Sequence, residues 1–190
     1  RGAGYSQKTS ELNRTSEVKA LIEQGVALID KDQAKAATEV FRKAVALSPE
    51  DSSAHYYLGY VLLKEGQVEV AEAELEKSLR LDPTNAYAKY FLARILQSKG
   101  RPARSVRLYE SLVAAGNPLY DTYVQLSQLY QRNGQKEQAL EALQKAIQQT
   151  PLDGAIHYRL GQIYSQVGRS DEARRSFEAA ERLKQADQKT

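Results

Sequence analysis

The 190-residue chain contains no cysteine, which removes disulfides, thiolate nucleophiles and Cys-ligated metal together. That absence leaves the redox compartment open. Methionine is missing as well, and a start at Arg1 without it points to a fragment or a processed product that has lost its targeting information. No apolar run approaches the roughly 18–20 residues needed to cross a bilayer, and the first residues show no signal-peptide pattern. The chain therefore predicts no direct membrane insertion, while a cytoplasmic or extracytoplasmic setting stays open. Charge of one sign is lacking too: 27 Lys and Arg stand against 24 acids, a net +3. Such a mild, dispersed balance argues against nucleic acid as a partner. Finally, there is no Gly-rich phosphate loop, nucleophile elbow or paired acid–base motif. No catalytic residue, metal site or cofactor is expected.

What is present is a globular composition, 42% hydrophobic and 27% charged, organised by repetition. H-Y-Y-L-G-Y at 55–60 returns as H-Y-R-L-G-Q at 157–162, a shift of 102 residues or three times 34. A step of 34 links Gly25, Gly59, Ala93, Ser127 and Gly161, all small. It also links Ala37, Ala71, Ser105, Ala139 and Ala173, again small, and Phe41, Leu75, Tyr109, Leu143 and Phe177, all large. Pro49, Pro83, Pro118 and Pro151 mark block ends. Small, large and Pro positions in phase at this period predict a solenoid.

Each block reads as two helices. Leu58, Val61 and Leu62 keep helical spacing, as do Val68, Ala71, Leu75 and Leu79. Gly66, Gly100, Gly134 and Gly168 predict the turn inside each pair, where φ > 0 is often needed. Proline ends each second helix by disfavouring the α conformation in the residue before it. No strand pattern appears, and the fold class is all-α.

These residues resemble the tetratricopeptide repeat (TPR) family: Leu58-Gly59 with Leu62, then Ala71, Leu75, Ser78 and Pro83. Five copies are in phase, at 18–51, 52–85, 86–119, 120–153 and 154–187. The resemblance implies a right-handed α-solenoid of antiparallel helix pairs, a single domain over 16–190 behind a flexible polar leader at 1–15. It departs locally. The early aromatic of each first helix is replaced by Leu21, His55, Lys89 and His157, with only Tyr123 kept. Pro118 falls one residue late and Leu112 fills a normally small position, so the third repeat is expected to end irregularly. Where Val45, Leu79, Val113 and Ile147 recur the fifth copy has Glu181, and Leu140 becomes Arg174. These changes predict a solvent-facing last helix that caps the stack.

His55 and His157 are three repeats apart without a carboxylate constellation, so they read as semi-buried substitutes for the family aromatic. Arg101, Arg104 and Arg107 read as a solvated basic stripe. The family resemblance implies that first helices line a concave groove. There the phase places Tyr56, Tyr57 and Tyr60, then Tyr87, Tyr90 and Arg94, then Gln125 and Arg132, and finally Tyr158 and Arg159. Such a surface, aromatic toward one end and amide- and Arg-rich toward the other, suits a peptide rather than solvent. The chaperone-tail clamp of some family members is Lys/Asn/Asn/Lys/Arg; here Ile22, Val26, Tyr57, Tyr87 and Phe91 stand instead. The expected function is a non-enzymatic protein-interaction module binding a protein or peptide through that groove. The alternatives are a self-associating scaffold, hence a possible homo-oligomer, or the accessory segment of a multidomain enzyme or envelope-machinery protein. In a further arrangement the leader folds back and places Tyr5 or Leu12 in the groove.

Overall fold

The structure is a computed structural model describing residues 2–116, 118–119 and 121–188, with side chains from residue 11 onward. Every regular element among the described residues is a helix: α1 (Gly2–Asp30), α2 (Ala34–Leu47), α3 (Ser52–Lys64), α4 (Val68–Leu81), α5 (Ala86–Ser98), α6 (Pro102–Ala114), α7 (Thr122–Arg132), α8 (Lys136–Gln149), α9 (Gly154–Gln166) and α10 (Ser170–Asp187). α1 with α2, α3 with α4, α7 with α8 and α9 with α10 pair as the 34-residue period requires. The chain falls into two compact units, Arg1–Arg101 and Pro102–Thr190, divided between α5 and α6 inside the third repeat. The 16–190 array therefore comprises two units. In the first, α1 packs on α2, α2 on α3, α3 on α4 and α4 on α5; in the second, α6 packs on α7, α7 on α8, α8 on α9 and α9 on α10.

Residues 2–15, expected as a flexible leader, lie within α1. Nothing in the stretch forbids this, because it has no proline and carries good helix formers such as Gln7, Lys8, Glu11 and Leu12. Leu12 is 63% exposed and so does not occupy the groove; the side chain of Tyr5 lies outside the described residues.

The turn inside every pair is a Schellman motif. Gln67 N–H donates to Leu62 O at 2.9 Å and Gly66 N–H to Leu63 O at 3.1 Å, with Gly66 at φ 77°. Asp32 takes the same position in the first repeat at φ 56°. First helices of the second, third and fifth repeats start on side-chain caps: Asp51 accepts from Ala54 N, Asn85 from Ala88 N and Asp153 from Ala155 N, at 2.8–2.9 Å. In the fourth, Asp121 makes no such cap and α7 has 11 residues where α3, α5 and α9 have 13. The irregular end expected for the third repeat is found there; its Leu112 is fully buried.

Small residues face large ones across the pairs α1–α2, α3–α4 and α9–α10. A Cβ added to Gly25 would lie 2.4 Å from the Phe41 ring, and one on Gly161 2.7 Å from Phe177. Phe41, Leu75, Tyr109 and Leu143 are wholly buried. Polar bonds repeat as well. Tyr130 Oη donates to Glu110 Oε1 at 2.7 Å, and one repeat later Gln144 Nε2 donates to Tyr164 Oη at 3.1 Å.

His55 is buried, as a substitute for an aromatic should be. Its Nε2 lies 2.8 Å from Pro49 O and its Nδ1 2.6 Å from Glu74 Oε2. A carbonyl only accepts, so Nε2 is the donor to Pro49 O, and Nδ1 faces the Glu74 carboxyl. His157 repeats the first contact, 3.0 Å to Pro151 O. The histidine thus clips the inter-repeat proline segment to the first helix that follows it.

Three outcomes follow from this packing. Gly25→Ala should destabilise the chain by about 1–3 kcal/mol in urea unfolding through overpacking against Phe41, despite alanine's higher helix propensity. His55→Phe should cost about 1.5–3 kcal/mol by orphaning the Pro49 carbonyl and Glu74; a loss under about 0.5 kcal/mol would mean the ring body alone holds the junction. Burial, then the Glu110 carboxylate, raise the Tyr130 phenol above its ordinary value of 10.0. The fold favours the neutral phenol, so its contribution is complete below that pH and lost as pH rises above it. The thermal midpoint should therefore fall less on the alkaline side in Tyr130→Phe than in the wild type.

Candidate functional site

In the first unit α1 touches α3 and α3 touches α5, whereas α2 and α4 make no comparable approach. First helices that crowd together while second helices spread make the α1–α3–α5 face the inner one. Helical spacing puts Tyr56 and Tyr60 of α3 in register with Tyr87 and Phe91 of α5. The Tyr56 ring lies 5.9 Å from Tyr87 and 6.3 Å from Tyr60, and Tyr60 lies 4.9 Å from Phe91. These are ordinary attractive aromatic separations.

The expected aromatic residues divide by burial. Tyr87 is 46% exposed, and Tyr56 and Tyr60 are half-buried. Tyr90 is only 5% exposed and meets Phe91 edge-on at 5.3 Å, so its ring is packed rather than presented. Tyr57 is stacked on Phe41 at 5.4 Å and 10°, which makes it mainly a repeat–repeat contact. Both differ from the sequence expectation: Tyr57 packs on Phe41 of the preceding repeat, and Tyr90 packs beside Phe91 and Arg94 of its own helix. Phe91, by contrast, is buried within the cluster, touching Tyr56, Tyr60 and Tyr90.

Cations flank the rings. Arg94 is exposed with its guanidinium carbon 5.9 Å from the Tyr90 centroid, and Lys64 Nζ stands 5.6 Å from that of Tyr60. The face is thus an aromatic floor with a basic edge.

In the second unit, Gln125 is half-buried with its amide donating to Asp121 Oδ2 at 2.6 Å, and Arg132 is exposed. Arg159 lines, with Tyr158, an open depression of about 1560 Å3 between the start of α9 and the second half of α10. Phe177, Lys184 and Leu152 line it too; the sequence reading did not assign them to a site. Their signal was the phase itself, since Phe177 is the last member of the large-residue series.

The other candidates resolve into structure. Arg101 precedes α6 rather than joining a stripe on it, and its Nη1 donates to Glu72 Oε1 at 2.9 Å. Lys99 Nζ donates to the other oxygen of Glu72 at 2.7 Å. Among the described residues no group of three or more His, Asp or Glu is placed to hold a metal, and no helix is long and apolar enough to cross a membrane.

No curated protein matches the chain significantly. Solved structures match its fold at low identity. MamA from Desulfovibrio magneticus RS-1 has a TM-score of 0.78 at 22% identity, covering 90% of this chain and 96% of that one. PilF of Pseudomonas aeruginosa gives 0.74 at 19%, covering 90% and 78%. YrrB, described as a TPR protein with an unusual peptide-binding site, gives 0.75 at 18%, covering 94% and 91%. Models of the tetratricopeptide repeat match residues 28–95 and 62–129, and another matches 124–188. With these matches spanning most of its length and the ten described helices in phase, the chain belongs to the tetratricopeptide repeat family.

Proposed function

We propose that the chain is a non-enzymatic protein-interaction module that takes a peptide or protein segment onto the inner face of its first unit. The observation that carries this is the aromatic floor of Tyr56, Tyr60 and Tyr87 beside the exposed Arg94 and Lys64. A solvated helix face would favour Lys and Glu over rings. Tyr57, Tyr90 and Phe91 hold the floor rigid, which lowers the entropy lost on binding. Arg94 and Lys64 favour a ligand with acidic groups beside apolar side chains. On the second unit Gln125, Arg132 and Arg159 offer further polar contacts. That YrrB is described as peptide-binding agrees with this reading.

Magnitudes are adequate. Covering roughly 100 Å2 of exposed ring at about 25 cal/mol/Å2 gives about 2–3 kcal/mol. A few such contacts, less the association cost, reach micromolar affinity, about −8 kcal/mol.

Peptides selected from a displayed random library on the intact chain provide the test. Titration calorimetry of the selected peptide should give a Kd at least about tenfold weaker for Tyr87→Ala, a loss of about 1.4 kcal/mol. Arg94→Glu should weaken acidic peptides most. Both residues are exposed, so neither variant threatens folding. Unchanged affinity in both would remove the site from this face.

A further inference from the structure

The aromatic floor of the first unit has a direction as well as a chemistry. Tyr56, Tyr60 and Lys64 follow one another at four-residue steps along α3, and Tyr87 and Phe91 do the same along α5. The two rows touch at successive turns, Tyr56 against Tyr87 at 5.9 Å and Tyr60 against Phe91 at 4.9 Å. α3 and α5 therefore run side by side here, and the rings form a strip that lies along the helices. Phe91 is buried, Tyr56 and Tyr60 are half-buried and Tyr87 is exposed, so the strip is lowest at Phe91.

Both cations stand at one end of that strip. Lys64 is one turn beyond Tyr60 and Arg94 is three residues beyond Phe91, so on neighbouring helices they bracket its C-terminal end. Each is near a ring, Lys64 at 5.6 Å from Tyr60 and Arg94 at 5.9 Å from Tyr90. Neither pairs with a carboxylate among the described residues, whereas Lys99 and Arg101 both pair with Glu72 and Lys77 pairs with Glu50. The backbone of a ligand decides its conformation here. An extended chain laid on ring faces would lose water from N–H and C=O groups without the rings replacing it. A helix brings those groups already paired and buries side chains alone.

We propose that the inner face of the first unit takes one amphipathic α-helix of a partner protein, laid along α3 and α5. The partner helix carries large apolar residues at i and i+4 and Asp or Glu at i+8. The apolar pair covers Tyr56, Tyr60 and Phe91, and the carboxylate, about 6 Å further along the axis, lies between Lys64 and Arg94. This rests on the reading of the inner face as a peptide site and adds the conformation and register of the ligand. A second copy of the chain does not supply such a helix. Among the described residues its exposed large apolar side chains within helices are Leu12, Val70, Tyr87 and Tyr158. Four residues on stand Ser16, Glu74, the buried Phe91 and Gln162.

The probe is a capped synthetic helix of Ala and Gln with Leu at i and i+4 and Glu at i+8, titrated into the isotopically labelled full chain and followed by amide chemical shifts. Saturable shifts centred on α3 and α5 are expected. Moving the Glu to i+6, on the opposite side of the peptide helix, should weaken binding about threefold to tenfold. Pro placed between the leucines should weaken it about tenfold or more, because it breaks the helix. In the Lys64→Glu/Arg94→Glu chain the preference for Glu at i+8 should vanish or invert. A Ser- and Thr-based peptide with Leu at alternate positions, matched to an extended chain, should bind more weakly than the helix. If it binds better, or if Pro costs nothing, the helix is overturned while the face still stands as a peptide site. An unchanged preference in the charge-reversed chain would overturn the register. No shift with either peptide at about millimolar concentration would overturn the proposal as well; the peptide site itself falls only if library-selected peptides also leave α3 and α5 unshifted. Concentration-dependent dimerisation abolished by Tyr87→Asp would make a second copy the occupant and overturn the partner helix.

Discussion

Everything in this molecule depends on one contact: a large side chain of the second helix lying directly on the backbone of the first. At Gly25 and Gly161 there is no Cβ, and the Phe41 and Phe177 rings take the space one would fill. The close approach sets the separation within a pair. The Schellman turn sets its direction, since the left-handed residue at Gly66 and its equivalents returns the chain after only three residues. Pairs of fixed geometry can then stack only in a few ways, which is why a pattern of small and large residues suffices to specify the array.

Stacking gives each repeat two roles. Its core residues hold its own helices together, and its first helix covers the repeat before. Tyr57 and Phe91 act in the second role, which is why residues that helical phase assigns to the inner face are partly or wholly covered. The half-covered tyrosines left over form a rigid aromatic floor. In the last repeat Tyr158 and the partly exposed Phe177 line the open depression beside α10.

Much of this was legible in the residues. The period, the turn glycines, the burial of His55 and the irregular junction near Pro118 all follow from local chemistry, and each is found in the helices and turns described. Less legible was anything decided by a second element. Glu74 lies 19 residues from His55 and gives no local sign of contacting it. Residues 2–15 lack apolar periodicity, yet α1 runs through them because nothing there breaks a helix already nucleated downstream. Arg174, read as the mark of a solvent-facing last helix, is exposed.

By itself the sequence determined the all-helical repeat, its phase, its turns and the identity of its core, because these rest on side-chain volume and backbone preference within about 34 residues. Tertiary structure alone decided which of the described tyrosines are presented and which are spent on packing. Exposure is a property of what a neighbouring helix reaches. That reach depends on the tilt and separation of whole helices, which no single residue encodes.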